Sequence, residues 1–177
     1  MVERIIIAGE GGQGIMLLGK VLAEAALRED KYTTWIPSYG AEVRGGAAYC
    51  MVIISDSEIS SPYIDKADSL IVMNNPSFEK FKSRLKDKGL LIVNTTLVNK
   101  AIEGKNINIC KAPFTYLAMK LGNLKVANMI ALGCYLAQKN ILNKNTVLAA
   151  IKAIAPAHKK NLVGINIKAF EEGFRIK

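Results

Sequence analysis

Apolar and polar residues come in blocks along the first two thirds of this chain, and the period of each block predicts an element. Residues 4–8 form a short β-branched run of the kind that fills a buried strand. Beyond a glycine turn, Ile15, Leu18, Val21, Leu22, Ala25 and Ala26 recur every three or four positions, which predicts a helix over 15–28. Residues 33–37 read as a second strand and 38–46 as a polar, glycine-rich loop. A third strand over 49–55 is closed by Asp56-Ser57. The apolar run 69–73 is another strand, ending at Asn74-Asn75-Pro76. Pro76 suits the first turn of a helix capped by Asn75 and running to about Lys88. Strands follow at 89–93 and 106–110. The almost wholly apolar stretch 124–139 predicts a buried helix, and 146–154 and 167–174 have amphipathic spacing. Such alternation predicts an α/β fold: a Rossmann-like, mostly parallel open sheet with helices on both faces. With 177 residues and no linker, repeat or low-complexity segment, one domain over 1–177 is expected.

Composition adds limits. Half the residues are hydrophobic and 22% are charged, an ordinary globular balance. The run at 5–8 breaks at Gly9, far short of a signal-peptide core, and 126–137 is too short to span a bilayer and carries Asn128. The expectation is a soluble, cytoplasmic protein with no membrane partner. The net charge of +9 raises the question of a polyanionic partner. Lysines such as Lys80, Lys86, Lys100 and Lys105 are dispersed without interleaved aromatics, so they read as a solvated surface and not as a nucleic-acid site. Cys50, Cys110 and Cys134 form no CxxC pair and His158 is the single histidine, so neither an iron–sulfur cluster nor a structural zinc is expected. The cysteines read as buried thiols in a reducing compartment, His158 as solvated, and Trp35 as a core or interface anchor.

Two segments carry candidate chemistry. Gly9-Glu10-Gly11-Gly12-Gln13-Gly14 contains G-x-G-x-x-G between a strand and a helix. In that setting Gly9 allows a tight turn, Gly11 lets backbone approach an anion, and Gly14 lets helix pack on strand. The helix N-terminus adds unpaired N–H groups and partial positive charge. A turn made only for chain reversal is the other reading. An NAD site would place a carboxylate at the end of the second strand. That strand ends Trp35-Ile36-Pro37-Ser38, and Glu29 and Asp30 precede it, which argues against a standard NAD domain. The second segment is Ser38-Tyr39-Gly40-Ala41-Glu42-Val43-Arg44-Gly45-Gly46, at the end of the sheet where α/β proteins bind ligands. Arg44 is a fork-shaped donor suited to carboxylate or phosphate, and Glu42 could orient it or a partner's polar group. A surface loop in which Glu42 and Arg44 simply pair remains open.

Together, GEGGQG, SYGAEVRGG and the strand ending Met73-Asn74-Asn75-Pro76 resemble the gamma subunit family of 2-oxoacid:ferredoxin (or flavodoxin) oxidoreductases over essentially the whole chain. The form SYG-x-E-x-RGG is more similar to the 2-oxoglutarate and branched-chain members than to the pyruvate ones. The resemblance implies a subunit of an enzyme that converts a 2-oxoacid and CoA to acyl-CoA and CO2. Thiamine diphosphate and Mg2+ then lie between alpha and beta subunits, additional iron–sulfur clusters on a delta subunit, and electrons pass to ferredoxin or flavodoxin. It implies no cofactor held by this chain alone and an isolated chain that is inactive; a hydrophobic chain built for a heteromer can form a homodimer when its partners are missing. It also places the chain near the thiamine site and the entry of CoA. Gly9, Gly11, Gly12, Gln13 and Gly14 would cradle an anion. Ser38, Tyr39, Gly40, Glu42, Arg44, Gly45 and Gly46 would face the substrate site or the partner subunits. A free-standing Rossmann-type nucleotide-binding oxidoreductase is the alternative, and a nucleic-acid module a more distant one.

Overall fold

Strand β1 (Val2–Glu10) carries Ile5, Ile6, Ile7 and Ala8 with no exposed surface, although successive side chains on a strand point to opposite faces. Only a strand covered on both sides can do this, and β1 lies inside a six-stranded sheet. The computed structural model describes residues 1–38, 47–100 and 106–176. The other strands are β2 (Tyr32–Ser38), β3 (Ala47–Ser55), β4 (Ala67–Val72), β5 (Leu85–Asn94) and β6 (Asn108–Ala112), in the order β2-β3-β1-β4-β5-β6. β1, β4, β5 and β6 run parallel to one another. β3 is antiparallel to both neighbours, pairing with β1 from Val2↔Ser55 to Glu10↔Ala47. The sheet is therefore mostly parallel, with one reversed strand. A parallel connection needs a dozen or more residues, and residues 39–46 are too few for one.

The helices are α1 (Ile15–Leu27), α2 (Asn75–Phe81), α3 (Phe114–Lys120), α4 (Ala127–Gln138), α5 (Lys144–Ile154) and α6 (Val163–Phe174). They cover both faces, unequally. α1 and α3 to α6 meet Ile5, Ile7, Val52, Ile71 and Ile92 on one face. The other face buries Ile6, Ala8, Leu70 and Leu91 under Phe78 and Phe81 of α2, with Ile64 and Val98 from the connecting segments. No described helix is long and apolar enough to cross a membrane.

Two expectations for α2 need correction, and one helix was not expected. The helix expected to run to about Lys88 stops at Phe81, passes through a 3-10 turn at Lys82–Arg84, and gives way to β5 at Leu85. Past Phe81 the segment offers a helix only Leu85 to bury. A bulge, with Lys88 at φ 60, instead absorbs the polar residues as the partner of β4 moves from Leu85 to Leu90. Its cap is Asn74, whose side chain accepts from Ser77 N at 3.0 Å, while Asn75 is the first helical residue. Finally, α3 was not anticipated; Phe114 and Ala118 bury its inner stripe after Pro113.

Helix α4 is the centre of the helical layer, with ten of its twelve residues buried. The expected start at Leu124 is a separate 3-10 turn, Leu124–Val126, and Leu124 itself is exposed. Near its far end, the Tyr135 hydroxyl donates to Glu3 Oε1 at 3.3 Å, and Lys139 Nζ stands 3.3 Å from Glu3 Oε2. Ser69 also donates to this carboxylate, so the charge of the nearly buried Glu3 is matched on both oxygens. Burial and the neighbouring Glu3 together hold the Tyr135 phenol well above its usual range.

α4 crosses α6 at two glycines. A Cβ on Gly133 would lie 2.7 Å from Phe174 N, and one on Gly173 would lie 2.7 Å from the carbonyl carbon of Ile130. Both neighbours are backbone and cannot swing away. Gly173→Ala is expected to cost about 1–3 kcal/mol through overpacking, read as a lower urea midpoint at constant slope. Gly164→Ala on the same helix has nothing within 4 Å of the new methyl and should stay within about 0.5 kcal/mol.

Candidate functional site

The β1–α1 turn is held by its own glutamine. Gln13 N donates to Glu10 O at 3.1 Å, and Gln13 Oε1 accepts from Glu10 N at 2.8 Å. This occupies the carbonyl end of the side chain expected to help cradle an anion. It also explains Gly9, where a Cβ would come within 2.5 Å of Gln13 Oε1 and 2.7 Å of Ile15 Cδ1. The left-handed backbone falls at Gly12 (φ 91) and Gly14 (φ 73), so the conformational demand sits there and not at Gly9. Gly11 and Gly12 have open space where a Cβ would be.

Gly14 is the N-cap of α1, which has no side-chain cap and no acidic residue in its first turn. Its first amides and the positive end of its dipole are thus without a protein acceptor from a capping side chain. The Gly14 carbonyl accepts from Leu18 N at 3.1 Å and from Asn128 Nδ2 at 3.0 Å. Asn128 Oδ1 in turn accepts from Met129 N at 2.9 Å. A Cβ on Gly14 would strike the Asn128 amide, so this glycine serves contact with α4 as well as the turn.

Against the turn opens a cavity of about 240 Å³. Gly12, Gly14, Asn123, Lys125 and Asn128 form its polar part, and Leu17, Val21, Ile151, Ile154 and Leu162 its apolar wall. Asn123 fixes the approach to α4 by accepting from Lys125 N at 3.0 Å. Among the described residues the site is therefore a largely apolar slot whose polar lining includes the α1 N-terminus and Lys125, a form suited to a ligand with an anionic group and a less polar body. Sequence reasoning missed Lys125, Asn123 and the role of Asn128. The available signal was Asn128 itself, a lone amide inside a buried apolar run.

The sheet brings the two motifs toward one end. Ser38 closes β2 opposite Tyr49, and Ala47 opens β3 opposite Glu10, beside the glycine turn. Tyr39, Gly40, Glu42, Arg44, Gly45 and Gly46 lie outside the described residues. Met73-Asn74-Asn75-Pro76 reaches the same end: Met73 N donates to Ala8 O at 2.9 Å, and the buried Asn94 donates to Met73 O at 3.1 Å. His158 lies in the 3-10 turn Ala157–Leu162, between α5 and α6. Cys50 donates to Ile15 O at 3.6 Å, and burial pushes its thiol up to about 12, which suits packing and not nucleophilic attack. Trp35 is partly buried against the helical face, its indole over Gly19.

A dinucleotide domain sets its second parallel strand directly beside the first. Here the antiparallel β3 occupies that place and β2 is displaced to the edge, ending at Ser38 without a carboxylate. This disfavours the free-standing nucleotide-dependent reading.

The protein-family model described as pyruvate ferredoxin/flavodoxin oxidoreductase matches residues 4–176. The chain belongs to this family. Within it, the chain is 34% identical over 171 residues to ketoisovalerate oxidoreductase subunit VorA of Methanothermobacter thermautotrophicus, covering 96% of itself and 35% of that protein. It thus spans about a third of the VorA length. It is 34% identical to 2-oxoglutarate synthase subunit KorC of Methanocaldococcus jannaschii, covering 99% of itself and 94% of that protein. The gamma subunit of a keto/oxoacid ferredoxin oxidoreductase from Geobacter sulfurreducens superposes with a TM-score of 0.85 at 33% identity, over 97% of this chain and 96% of that one. The family's fold thus frames the glycine turn seen here.

Gly14→Ala should destabilise the protein by about 2 kcal/mol or more, because it forces an L side chain into the left-handed region and against Asn128. Gly11→Ala should stay within about 0.5 kcal/mol. Urea unfolding of the two variants checks the contrast, and equal costs would contradict the turn geometry.

Proposed function

We propose that this chain is the gamma component of a heteromeric 2-oxoacid:acceptor oxidoreductase, with 2-oxoglutarate as the oxoacid. The assembled enzyme converts the oxoacid and CoA to acyl-CoA and CO2 while reducing ferredoxin or flavodoxin. In this reading the glycine turn and the adjoining cavity receive part of CoA, its phosphates at the first amides of α1 and at Lys125. The observation that carries the ligand assignment is the uncapped helix end opening on a cavity with one ammonium at its polar part. The choice of oxoacid is supported by similarity at 34–36% identity to KorC subunits of four archaea, each covered over 86–95% of its length.

In the same reading, thiamine diphosphate with Mg2+ supplies the decarboxylating centre between alpha and beta subunits, and iron–sulfur clusters include those of a delta subunit. Among the described residues no three His, Cys, Asp or Glu side chains converge as a metal site. The chain's residues bind and orient. Asn128 holds Gly14, Gly14 aims the helix end, and Lys125 supplies charge.

The partner face is the carboxyl end of the sheet. Leu17, on the cavity wall, is exposed, as are Leu97 after β5, Tyr116 and Met119 on α3, and Leu124 in the turn before α4. Tyr116 N donates to Thr96 Oγ1 at 3.2 Å, which ties the start of α3 to the segment after β5. Apolar side chains grouped with a ligand site suit a surface that becomes buried on assembly.

Lys125→Ala in the reconstituted complex should raise the KM for CoA roughly tenfold, the effect of losing one charge-assisted contact, with assembly and oxoacid KM unchanged. An unchanged CoA KM would remove the cavity from CoA binding.

A further inference from the structure

We propose that Cys110 and Cys134 form a reversible redox pair that closes to a disulfide in the folded protein. Cys110 lies on β6 and Cys134 in the middle of α4, and their Sγ atoms stand 2.9 Å apart. A disulfide requires about 2.05 Å, so closure asks for a movement of less than about 1 Å. The fold allows that movement on one side and resists it on the other. β6 is an edge strand whose ladder is with β5, where Ile92 pairs with Cys110. It can shift toward the helix without breaking a second ladder. α4 is clamped by its glycine crossing with α6, and Gly133 is the residue immediately before Cys134.

The two sulfurs are not equivalent. Cys134 has no exposed surface, whereas Cys110 retains 6% on the sheet edge. The two thiols share one hydrogen bond, in which either sulfur can be the donor, and this contact holds Cys110 below the ordinary thiol range. The same contact and its burial push Cys134 well above that range. Cys110 is thus the attacking sulfur and Cys134 the resolving one. With a low-molecular-weight disulfide as oxidant, the Cys110 thiolate attacks one reagent sulfur. The reagent S–S bond breaks and one thiolate leaves. Cys134 then loses its proton and its sulfur attacks Cys110 Sγ in the mixed disulfide, expelling the second reagent thiolate. The protein has lost two electrons and two protons, and the two departing thiols carry them. A reducing dithiol reverses the sequence.

The bond would tie an edge strand to α4, the helix whose first turn holds Gly14 through Asn128. Cys50 is left out of this chemistry, since it sits on β3 with its thiol bonded to the Ile15 carbonyl.

The test uses the full-length chain, freed of reductant and exposed to oxidised glutathione under native conditions. It is then denatured in N-ethylmaleimide and digested with trypsin without reduction. Trypsin separates the cysteines into residues 45–66, 106–111 and 126–139. The expected product is 106–111 joined to 126–139, two hydrogens lighter than the sum of the free peptides. Dithiothreitol should release it, Cys50 should be found alkylated, and the oxidised chain should melt several degrees higher. Cys134→Ser should leave a glutathione adduct on Cys110, and Cys110→Ser should leave Cys134 alkylated. Alkylation of all three wild-type cysteines after oxidant would overturn the pair. A link through Cys50 would do the same, as would an adduct on Cys134 in the Cys110→Ser variant.

Discussion

The Gly14 carbonyl accepts two hydrogen bonds, one from Leu18 N within its own helix and one from the buried Asn128 amide of α4. Through this oxygen, residues separated by more than half the chain share one position. Asn128 has 1% of its surface exposed, so leaving its amide unpaired would cost about 1–3 kcal/mol. The constraint runs both ways. It fixes where α1 begins relative to the sheet, and it fixes the end of α4 that forms one side of the cavity. Because Gly14 touches the Asn128 side chain, no residue with a Cβ could occupy position 14 without displacing Asn128.

From that point the architecture divides by end. At the amino end of β1, a buried carboxylate on Glu3 gathers Ser69, Tyr135 and Lys139. At the carboxyl end, Asn74, Asn94 and Asn128 satisfy backbone groups where strands stop and helices begin. Uncharged amides suit that end, since they complete the hydrogen bonding without adding negative charge beside the first turn of α1. In a family of oxidoreductases that divide their chemistry among subunits, such a surface fits a chain that positions a ligand for centres held elsewhere.

How much was legible in the sequence follows from how locally each feature is encoded. β1, the turn and α1 are consecutive, and the apolar spacing from Ile5 to Ala26 carries them whole. The reversal of β3 follows from the few residues joining it to β2, a constraint that strand propensity does not express. The end of α2 was misplaced because Lys82 to Lys88 is equally polar as helix or strand, and only pairing with Ala67 decides between them. At the site, the glycines were visible and their individual duties were not. Gly9 answers to Gln13 and Ile15, and Gly14 to Asn128, contacts that exist only after folding. Lys125 and Asn123 join the turn through tertiary packing alone, so no spacing near residue 10 announces them.

The central claim is that this chain works as part of a CoA-dependent 2-oxoacid oxidoreductase and not as an enzyme by itself. The most direct measurement is to isolate the tagged chain from the cells that make it, identify the accompanying chains, and assay the material for 2-oxoglutarate oxidation with and without CoA. The account predicts stoichiometric co-purification of chains bearing thiamine diphosphate and iron–sulfur clusters, with acceptor reduction that stops when CoA is omitted. A chain recovered alone, carrying its own nucleotide and turning over NAD(P)H, would contradict it.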